Sequence, residues 1–133
     1  MGKKIVVDTD VLVDLEHSRA RWLNEVLAGS RKFIPILPTI VISEYWASQR
    51  FDDASATKSA EKTLGLFRKY DFNEPVAKVM GEIMRHRSYP SGASISDLIV
   101  ASTAIYLNAP LATRNTAHYH GIPGLQFFKT END

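Results

Sequence analysis

The 133-residue chain is predicted to form one α/β domain, with a three-layer α/β/α architecture around a mainly parallel central sheet. The first observation is that short apolar runs alternate with stretches of helical pattern, as in parallel sheets with crossover helices. The second is length, which suits a single domain over residues 1–133 without repeats or linkers. The third is composition: 44% hydrophobic and 23% charged residues are typical of a folded globular protein.

The first strand and the first helical region are predicted from the N-terminal apolar pattern. Residues 5–7 form a β-branched run without polar alternation, which indicates a buried strand of a parallel sheet. A helical stretch is predicted over residues 11–27 with a break near Ser18. Gly29 stands where a helix C-terminal cap is expected, so the helical region should end there.

The second strand is predicted at residues 33–37, and Pro35 places it at a sheet edge because proline cannot donate a ladder hydrogen bond. Thr39 is predicted to cap a helix that runs to about Arg50. The patterns then predict, in order, a helix at 58–68, a brief strand at 70–72, a helix at 74–87, a loop at 88–94, a helix at 94–107, a strand at 111–113, a short helix at 116–119 and a strand at 126–128.

Polar side chains follow two of the predicted strands. Asp8 directly follows the first strand, and residues 113–115 come at the end of the late strand. The carboxyl ends of parallel strands meet at one edge of the sheet, where ligands of open α/β sheets gather. We therefore expect Asp8 and Thr113 to lie close together.

Two helical carboxylates are expected to join them. Glu44 follows Ile40 and Val41 at helical spacing, which places it on the apolar face of its helix, where a glutamate requires a partner. Asp97 precedes Val100 by three residues and lies at the mouth of a core-facing stripe. Neither predicted helix offers a basic residue at a matching position.

A cluster of these carboxylates would need a compensating charge. At about 5 Å and an effective dielectric near 20, each pair would repel by about 3 kcal/mol, so the cluster either binds protons or holds a cation. The chain has no cysteine, which excludes thiolate ligands, a cysteine nucleophile and disulfides. Mg²⁺ or Mn²⁺ on carboxylates and water therefore fits, and the chemistry indicated is metal-assisted phosphodiester hydrolysis.

Each of these residues also has a purely structural interpretation. Ser94 and Asp97 stand at the spacing of a capping box, with Asp in place of the preferred Glu or Gln. The other structural interpretations are helix caps at Asp8, Asp10 and Asn115, a solvated helix face at Asp14, and pairing of Glu44 with a basic residue elsewhere, against which its apolar stripe argues. The functional argument therefore depends on the set of residues and not on any single one.

Four segments resemble a known family in order and spacing. They are IVVDTDVLVD at 5–14, TIVISEYWAS at 39–48, SISDLIVASTA at 94–104 and LATRNTAHYHGIPGL at 111–125. Together they resemble the PIN-domain ribonucleases, and most closely the VapC toxins of prokaryotic toxin–antitoxin pairs. The resemblance covers almost the whole chain, and the combination is specific although each piece alone would be weak.

The resemblance implies a set of site residues. By their positions in these motifs, Asp8, Glu44 and Asp97 are implied to bind the metal, with Thr113 beside them. Asn115 stands where a fourth acidic or polar residue completes the site; as a neutral residue it leaves three formal charges, which argues against tight binding of a second metal ion. Arg114 is a candidate for contact with a substrate phosphate, and a solvated loop arginine is the alternative.

The resemblance also implies an activity and partners. They are Mg²⁺- or Mn²⁺-dependent endoribonuclease activity on a structured RNA such as tRNA or rRNA, a homodimer, and a VapB-type antitoxin that masks the site. A net charge of +1 is too small to steer a polyanion over long range, so RNA would bind through local patches. With no apolar run long enough to cross a bilayer and no secretion signal at the start, the expected location is the cytoplasm.

Two alternatives remain open. Asp8 and Asp10 also fit the Asp-x-Asp opening of haloacid-dehalogenase-like phosphatases, although the late acidic pair of that family is missing. A non-catalytic PIN-fold interaction module is the other, and the presence of all three acidic positions argues against it. His118 and His120 are interpreted as turn and surface residues, because side chains two apart on a helix point in different directions.

Overall fold

The structure is a computed structural model that describes residues 2–29 and 32–129. Within these residues, four strands form one sheet that is flanked by helices, which confirms the predicted three-layer α/β/α architecture. Every strand pairing is parallel, as the sequence pattern indicates. That one domain spans residues 1–133 stays a prediction, since both chain ends lie outside the described residues.

The elements are labelled in chain order. Strands β1 to β4 are Lys3–Val7, Phe33–Pro38, Arg68–Tyr70 and Leu111–Ala112. Helices α1 to α6 are Thr9–Glu16, Arg21–Leu27, Thr39–Trp46, Ala54–Leu64, Glu74–His86 and Ile95–Tyr106. Two short 3-10 helices cover Gln49–Asp52 and Thr116–Tyr119.

The strand order places a binding crevice beside β1. The order across the sheet is β3-β2-β1-β4, so the chain moves outward from β1 to β3 and then returns to the opposite side of β1. Such a reversal opens a crevice beyond the carboxyl ends of the two strands that flank it. The register pairs Val7 with Ala112, and therefore Asp8 and Thr113, which follow them, leave the sheet side by side.

The prediction that the second strand is an edge strand is wrong. β2 lies between β1 and β3, and Pro35 pairs in register with Ile5 of β1. β3 pairs only with Ile36 to Pro38, so Pro35 comes before the part of β2 that has a neighbour on both sides. The proline is tolerated in a central strand because the third strand is too short to reach it.

Some of the predicted helix boundaries are confirmed, and others are not. The predicted break near Ser18 is confirmed, with Ser18 at a φ of 57° between α1 and α2. Gly29 follows α2 at a φ of 112°, a backbone conformation that favours glycine. Thr39, predicted as a cap, is instead the first residue of α3, and Pro38 precedes it as the N-cap without a side-chain hydrogen bond.

Three further element boundaries differ from those predicted from the sequence. α4 begins at Ala54, because Asp53 caps it by accepting a hydrogen bond from the Ala56 N–H. The strand predicted at 70–72 ends at Tyr70, since Asn73 caps α5 and the chain must leave the sheet before it. The strand predicted at 126–128 is reduced to one parallel bridge between Phe127 and Leu111.

The core lies between the sheet and its helices. It is built from the apolar residues of β1, β2 and β4 and from one face of each long helix; its largest fully buried side chains include Tyr119, Ile5, Leu12, Leu23, Ile36, Leu37 and Leu111. In the part of the chain that the structure describes, each helix is too short or too polar to cross a bilayer.

Candidate active site

Asp8 is the most firmly held carboxylate at the crevice. It caps α1, because its Oδ1 accepts a hydrogen bond from the Thr9 N–H at 2.8 Å. Its Oδ2 accepts two more, from the Thr113 hydroxyl at 2.9 Å and the Tyr119 hydroxyl at 2.8 Å. Asp8 is only 7% exposed, so these donors compensate its burial and fix the orientation of the carboxylate.

Asp97 faces Asp8 across the Tyr119 hydroxyl. The Asp97 Oδ1 lies 3.4 Å from the same phenol oxygen, while its Oδ2 accepts the Ser94 N–H at 2.9 Å. The Ser94 hydroxyl in turn accepts the Asp97 N–H, so the predicted capping box is present at the start of α6. The structural interpretation of Asp97 is therefore correct, and the same side chain also reaches the crevice.

Glu44 joins the site from an unexpected position. The prediction that it lies on the buried face of α3 is wrong, because the helix buries Val41 and Tyr45 and leaves Glu44 exposed beside them. Its partners are hydroxyls: Thr9 Oγ1 donates to Oε1 at 2.9 Å and Ser96 Oγ to Oε2 at 3.1 Å. Glu44 is thus tied to the residue after Asp8 and to the residue before Asp97.

Thr113 is placed as predicted, whereas Asn115 contributes differently. Thr113 donates its hydroxyl to Asp8 and accepts the backbone N–H of Asn115 at 3.0 Å. Asn115 is exposed at the start of the second 3-10 helix, and its side chain makes no capping hydrogen bond there. The cap interpretation of Asn115 therefore lacks its hydrogen bond, and its amide is free to face solvent beside the carboxylates.

Asp10 is not a helix cap, because Asp8 holds that position. Its Oδ2 accepts the Arg114 N–H at 2.8 Å and lies 3.4 Å from the Thr113 hydroxyl. Its Oδ1 is buried and has no hydrogen-bond partner among the described residues. Burial raises the pKa of Asp10 by more than the Arg114 N–H lowers it, and the nearby charge of Asp8 adds to the rise.

Asp14 and Arg114 form an ion pair at the rim. The interpretation of Asp14 as a solvated residue is wrong: its side chain is 11% exposed, and its Oδ2 accepts a hydrogen bond from Arg114 Nε at 2.6 Å. Arg114 itself is 64% exposed, so its outer guanidinium nitrogens face solvent. His118, interpreted from sequence as a surface residue, is exposed, but its Nδ1 lies 3.5 Å from Asp97 Oδ2.

The central charges of the crevice are acidic. The pKa of the Tyr119 phenol is raised by burial and then by the charges of Asp8, Asp97 and Asp10, which shows that all three act on one point. A phenol has a single proton, so it can donate to Asp8 or Asp97 but not to both. One phenol proton therefore serves two carboxylate oxygens, Asp8 Oδ2 and Asp97 Oδ1.

The donor set was tested against a divalent cation. Within the described residues, no group of three Asp, Glu or His side chains is close enough to act together as ligands of one ion. Mg²⁺, however, is usually bound through one or two carboxylates and keeps several waters. Asp8 and Asp97 provide two all-oxygen ligands of this kind, and Glu44 is held beside them by the hydroxyls of Thr9 and Ser96, so the residues present fit such an ion.

Sequence reasoning missed the hydroxyl groups that form hydrogen bonds to the carboxylates. Tyr119, Thr9 and Ser96 were not singled out, because a hydroxyl has no distinctive spacing. One signal was available for Tyr119: it has the one large hydrophobic side chain in the run Thr116 to His120, and a side chain of this kind is expected to pack against the core. Which carboxylate its hydroxyl would meet depends on tertiary packing.

The chain was compared with known proteins. The PIN domain family matches residues 5–121, and no curated protein sequence matches the chain. Among solved structures, VapBC2 from Rickettsia felis bound to a promoter DNA fragment is similar with a TM-score of 0.76 and 20% identity, covering 96% of this chain and 99% of that chain.

Two further solved structures are similar. FitAcB from Neisseria gonorrhoeae has a TM-score of 0.69 and 24% identity, covering 93% of this chain and 96% of that chain. VapBC-1 from nontypeable Haemophilus influenzae has a TM-score of 0.74 and 20% identity, with coverage of 95% and 97%. At these identities the structures show a shared fold and nothing further.

Proposed function

Since the chain belongs to the PIN domain family, we propose that it is a divalent-metal-dependent endoribonuclease and the toxin of a type II toxin–antitoxin pair. The observation that carries this proposal is the meeting of Asp8 and Asp97 at one phenol hydroxyl, beyond the carboxyl ends of β1 and β4. Two carboxylates that share a single phenol proton favour the binding of a doubly charged cation. Because the chain belongs to the PIN domain family, we expect this cation to support nuclease chemistry.

We assign the cation to Asp8 and Asp97, with Glu44 acting through its hydroxyl partners or through water. Asp8 Oδ2 already accepts hydrogen bonds from two hydroxyl groups, and Oδ1 accepts one from a backbone N–H. The second lone pair of Oδ1 is therefore the one that can bind the ion. When bound, Mg²⁺ or Mn²⁺ supplies the charge that activates a water and stabilises an oxyanion leaving group. Thr113 keeps Asp8 in place, and the amide of Asn115 offers a neutral polar group at the same edge.

Arg114 is proposed to bind an RNA phosphate next to the carboxylates. Asp14 holds its Nε, and the Arg114 N–H is held by Asp10, so both ends of the residue are fixed from α1. The exposed terminal nitrogens can then contact a phosphate bidentately. Phosphate contacts of this kind position RNA without reading its sequence, so they leave the choice of RNA to other surfaces.

The partners are proposals as well. The similar solved structures are described as VapBC and FitAcB, and one further similar chain as part of a toxin–antitoxin complex. They support a VapB-type antitoxin for this chain. A basic side chain of that partner among Asp8, Glu44 and Asp97 would replace the cation charge and make strong hydrogen bonds. We also propose a homodimer, which light scattering of the purified chain would test.

Cleavage of RNA by the purified chain tests the proposed activity. We expect cleavage in Mg²⁺ or Mn²⁺, its loss in EDTA, and losses of about 100-fold or more in each of Asp8→Asn, Glu44→Gln and Asp97→Asn. The controls are Asp71→Asn and Glu61→Gln, which change exposed carboxylates outside the site and should cleave normally.

Specific outcomes would overturn the assignment. Full cleavage by all three site variants, or cleavage that resists the chelator, would contradict a metal-dependent site. Hydrolysis of small phosphate esters that is lost in Asp10→Asn would support the dehalogenase-like alternative, and a folded chain that cleaves nothing would support an interaction module. Growth arrest on expression, absent from Asp8→Asn, is the corresponding test of the toxin role.

A further inference from the structure

We propose that Tyr119 is a positioning residue of the carboxylate site, and that its hydroxyl holds Asp8 in the orientation that binds a divalent cation. The inference deepens the proposed function and rests on it. It concerns a residue that lies outside the acidic set, and whose role follows from contacts that the fold creates between the 3-10 helix Thr116–Tyr119, β1 and α6.

The hydroxyl of Tyr119 lies in a fixed position. The residue is 1% exposed, and its ring packs edge-to-face against Phe127 with 6.4 Å between the centroids. Phe127 forms the bridge to Leu111 of β4, so the ring is anchored to the same strand pair that presents Asp8. The phenol therefore cannot leave the crevice without a rearrangement of the core.

The two hydrogen bonds to Asp8 Oδ2 determine what its other oxygen can do. Tyr119 and Thr113 fill the acceptor positions of Oδ2, at 2.8 and 2.9 Å. Oδ1 caps α1 with one lone pair and keeps the second free. With Oδ2 anchored, rotation of the carboxylate is blocked, and the free lone pair of Oδ1 is held at the mouth of the crevice.

The hydroxyl of Tyr119 also lies next to Asp97, with 3.4 Å between its oxygen and Asp97 Oδ1. Its proton goes to Asp8, the shorter contact, so Asp97 Oδ1 faces the phenol oxygen without receiving a proton from it. Asp97 Oδ1 consequently has lone pairs that the phenol proton does not occupy and that can bind a cation. Outer partners that orient ligating groups typically contribute 10- to 100-fold to metal affinity.

Tyr45 provides a matched control in the same chain. It is also a buried tyrosine, 3% exposed, and its hydroxyl also donates to a carboxylate, that of Glu16. Glu16 pairs with Arg50, away from the hydrogen bonds of Asp8 and Asp97. Tyr45→Phe thus removes the same atom in a similar setting and leaves the hydrogen bonds of Asp8 and Asp97 in place.

The experiment is a calorimetric titration of Mn²⁺ into the purified wild-type chain, Tyr119→Phe and Tyr45→Phe, without RNA. We expect Tyr119→Phe to bind Mn²⁺ about 10-fold more weakly and Tyr45→Phe to bind as the wild type does. The ring is retained in both variants, and matching melting temperatures in EDTA exclude a general loss of structure as the cause.

The outcomes separate this inference from the proposed function. Equal or tighter Mn²⁺ binding by Tyr119→Phe, alongside normal binding by the wild type, overturns the positioning role and leaves the nuclease proposal standing. No Mn²⁺ binding by the wild-type chain overturns both. Equal weakening in both variants also overturns the inference, because the Tyr45 hydroxyl donates to Glu16 and not to Asp8 or Asp97.

Discussion

Single side chains at this site have structural and chemical roles at once. Asp8 caps α1 through Oδ1, and Asp97 completes the capping box of α6 through Oδ2. Each carboxylate uses one oxygen to satisfy backbone N–H groups at a helix start, which also stabilises negative charge there. The remaining lone pairs face the crevice, so capping fixes the ligands in place and does not compete with metal binding.

Asp10 offers a residue-scale test through its titration. A carboxyl whose pKa is raised on folding binds its proton more tightly in the folded state, so the free energy of unfolding falls as the pH rises above the ordinary pKa of about 4. Asp10→Asn removes this loss. We expect the melting temperature of the variant, relative to that of the wild type, to increase from pH 4 to pH 7. Both are measured by circular dichroism in EDTA.

Asp71→Asn is the control for this comparison, because Asp71 is exposed and its replacement removes the same charge at a solvated position. The difference in melting temperature between Asp71→Asn and the wild type should change little from pH 4 to pH 7. A melting temperature of Asp10→Asn that stays constant or falls relative to that of the wild type from pH 4 to pH 7 would contradict the raised pKa of Asp10.

Arg114 offers a second test at the same scale. Arg114→Ala should raise the KM for RNA by about 10-fold, leave Mn²⁺ affinity unchanged and reduce the salt dependence of RNA binding, since one phosphate contact is lost. Asp14→Asn should have a smaller effect in the same direction, because the guanidinium remains but is no longer held. Arg68→Ala, an exposed arginine on β3, is the control. A KM unchanged in Arg114→Ala would remove Arg114 from the substrate site.

Among the elements, α6 connects stability to the site most directly. Ser94→Ala deletes its N-cap and should reduce the free energy of unfolding by about 1 kcal/mol. The matched control is Asn73→Ala, which deletes the side-chain cap of α5 at a comparable cost. Only Ser94→Ala is expected to slow RNA cleavage, because the Ser94 hydroxyl also accepts the Asp97 backbone N–H and contacts the Ser96 hydroxyl that donates to Glu44. Equal cleavage by both variants, measured well below their melting temperatures, would contradict this link.

Elements with a strong local signal could be predicted from the sequence. The apolar run of β1, the capping box of α6 and the break at Ser18 each depend on a few neighbouring residues, and all three are confirmed. The position of β2 in the sheet could not be predicted, because proline signals a missing hydrogen bond and not the length of the neighbouring strand. In the parallel register the residue opposite Pro35 would be Phe67, which belongs to the turn after α4, so β3 begins one residue too late to reach the proline.

The candidate site could be predicted in part for a similar reason. Asp8 and Thr113 follow paired strands, so topology alone brings them together. The outward position of Glu44 depends on which residues of α3 meet the sheet, and the role of Tyr119 depends on how the 3-10 helix packs against Phe127. Both are consequences of tertiary packing, which single-sequence patterns do not encode.

For the whole molecule, a bound cation should appear as added stability. A ligand that binds only the folded state at 100 times its Kd contributes about 2.7 kcal/mol. We therefore expect Mn²⁺ at that excess to raise the wild-type melting temperature by several degrees over EDTA. Asp8→Asn should show almost no rise, while Asp71→Asn should match the wild type. A similar rise in Asp8→Asn would indicate that Mn²⁺ binds elsewhere.

The central claim is that the ends of β1 and the start of α6 together hold one divalent cation. Its most direct test is a crystal of the chain soaked in Mn²⁺, with the ion located by anomalous scattering. We expect an anomalous peak bound by carboxylate oxygens of Asp8 and Asp97, beside the Tyr119 hydroxyl. A map from fully soaked crystals with no peak there, or with Mn²⁺ bound only at other carboxylates, would contradict it.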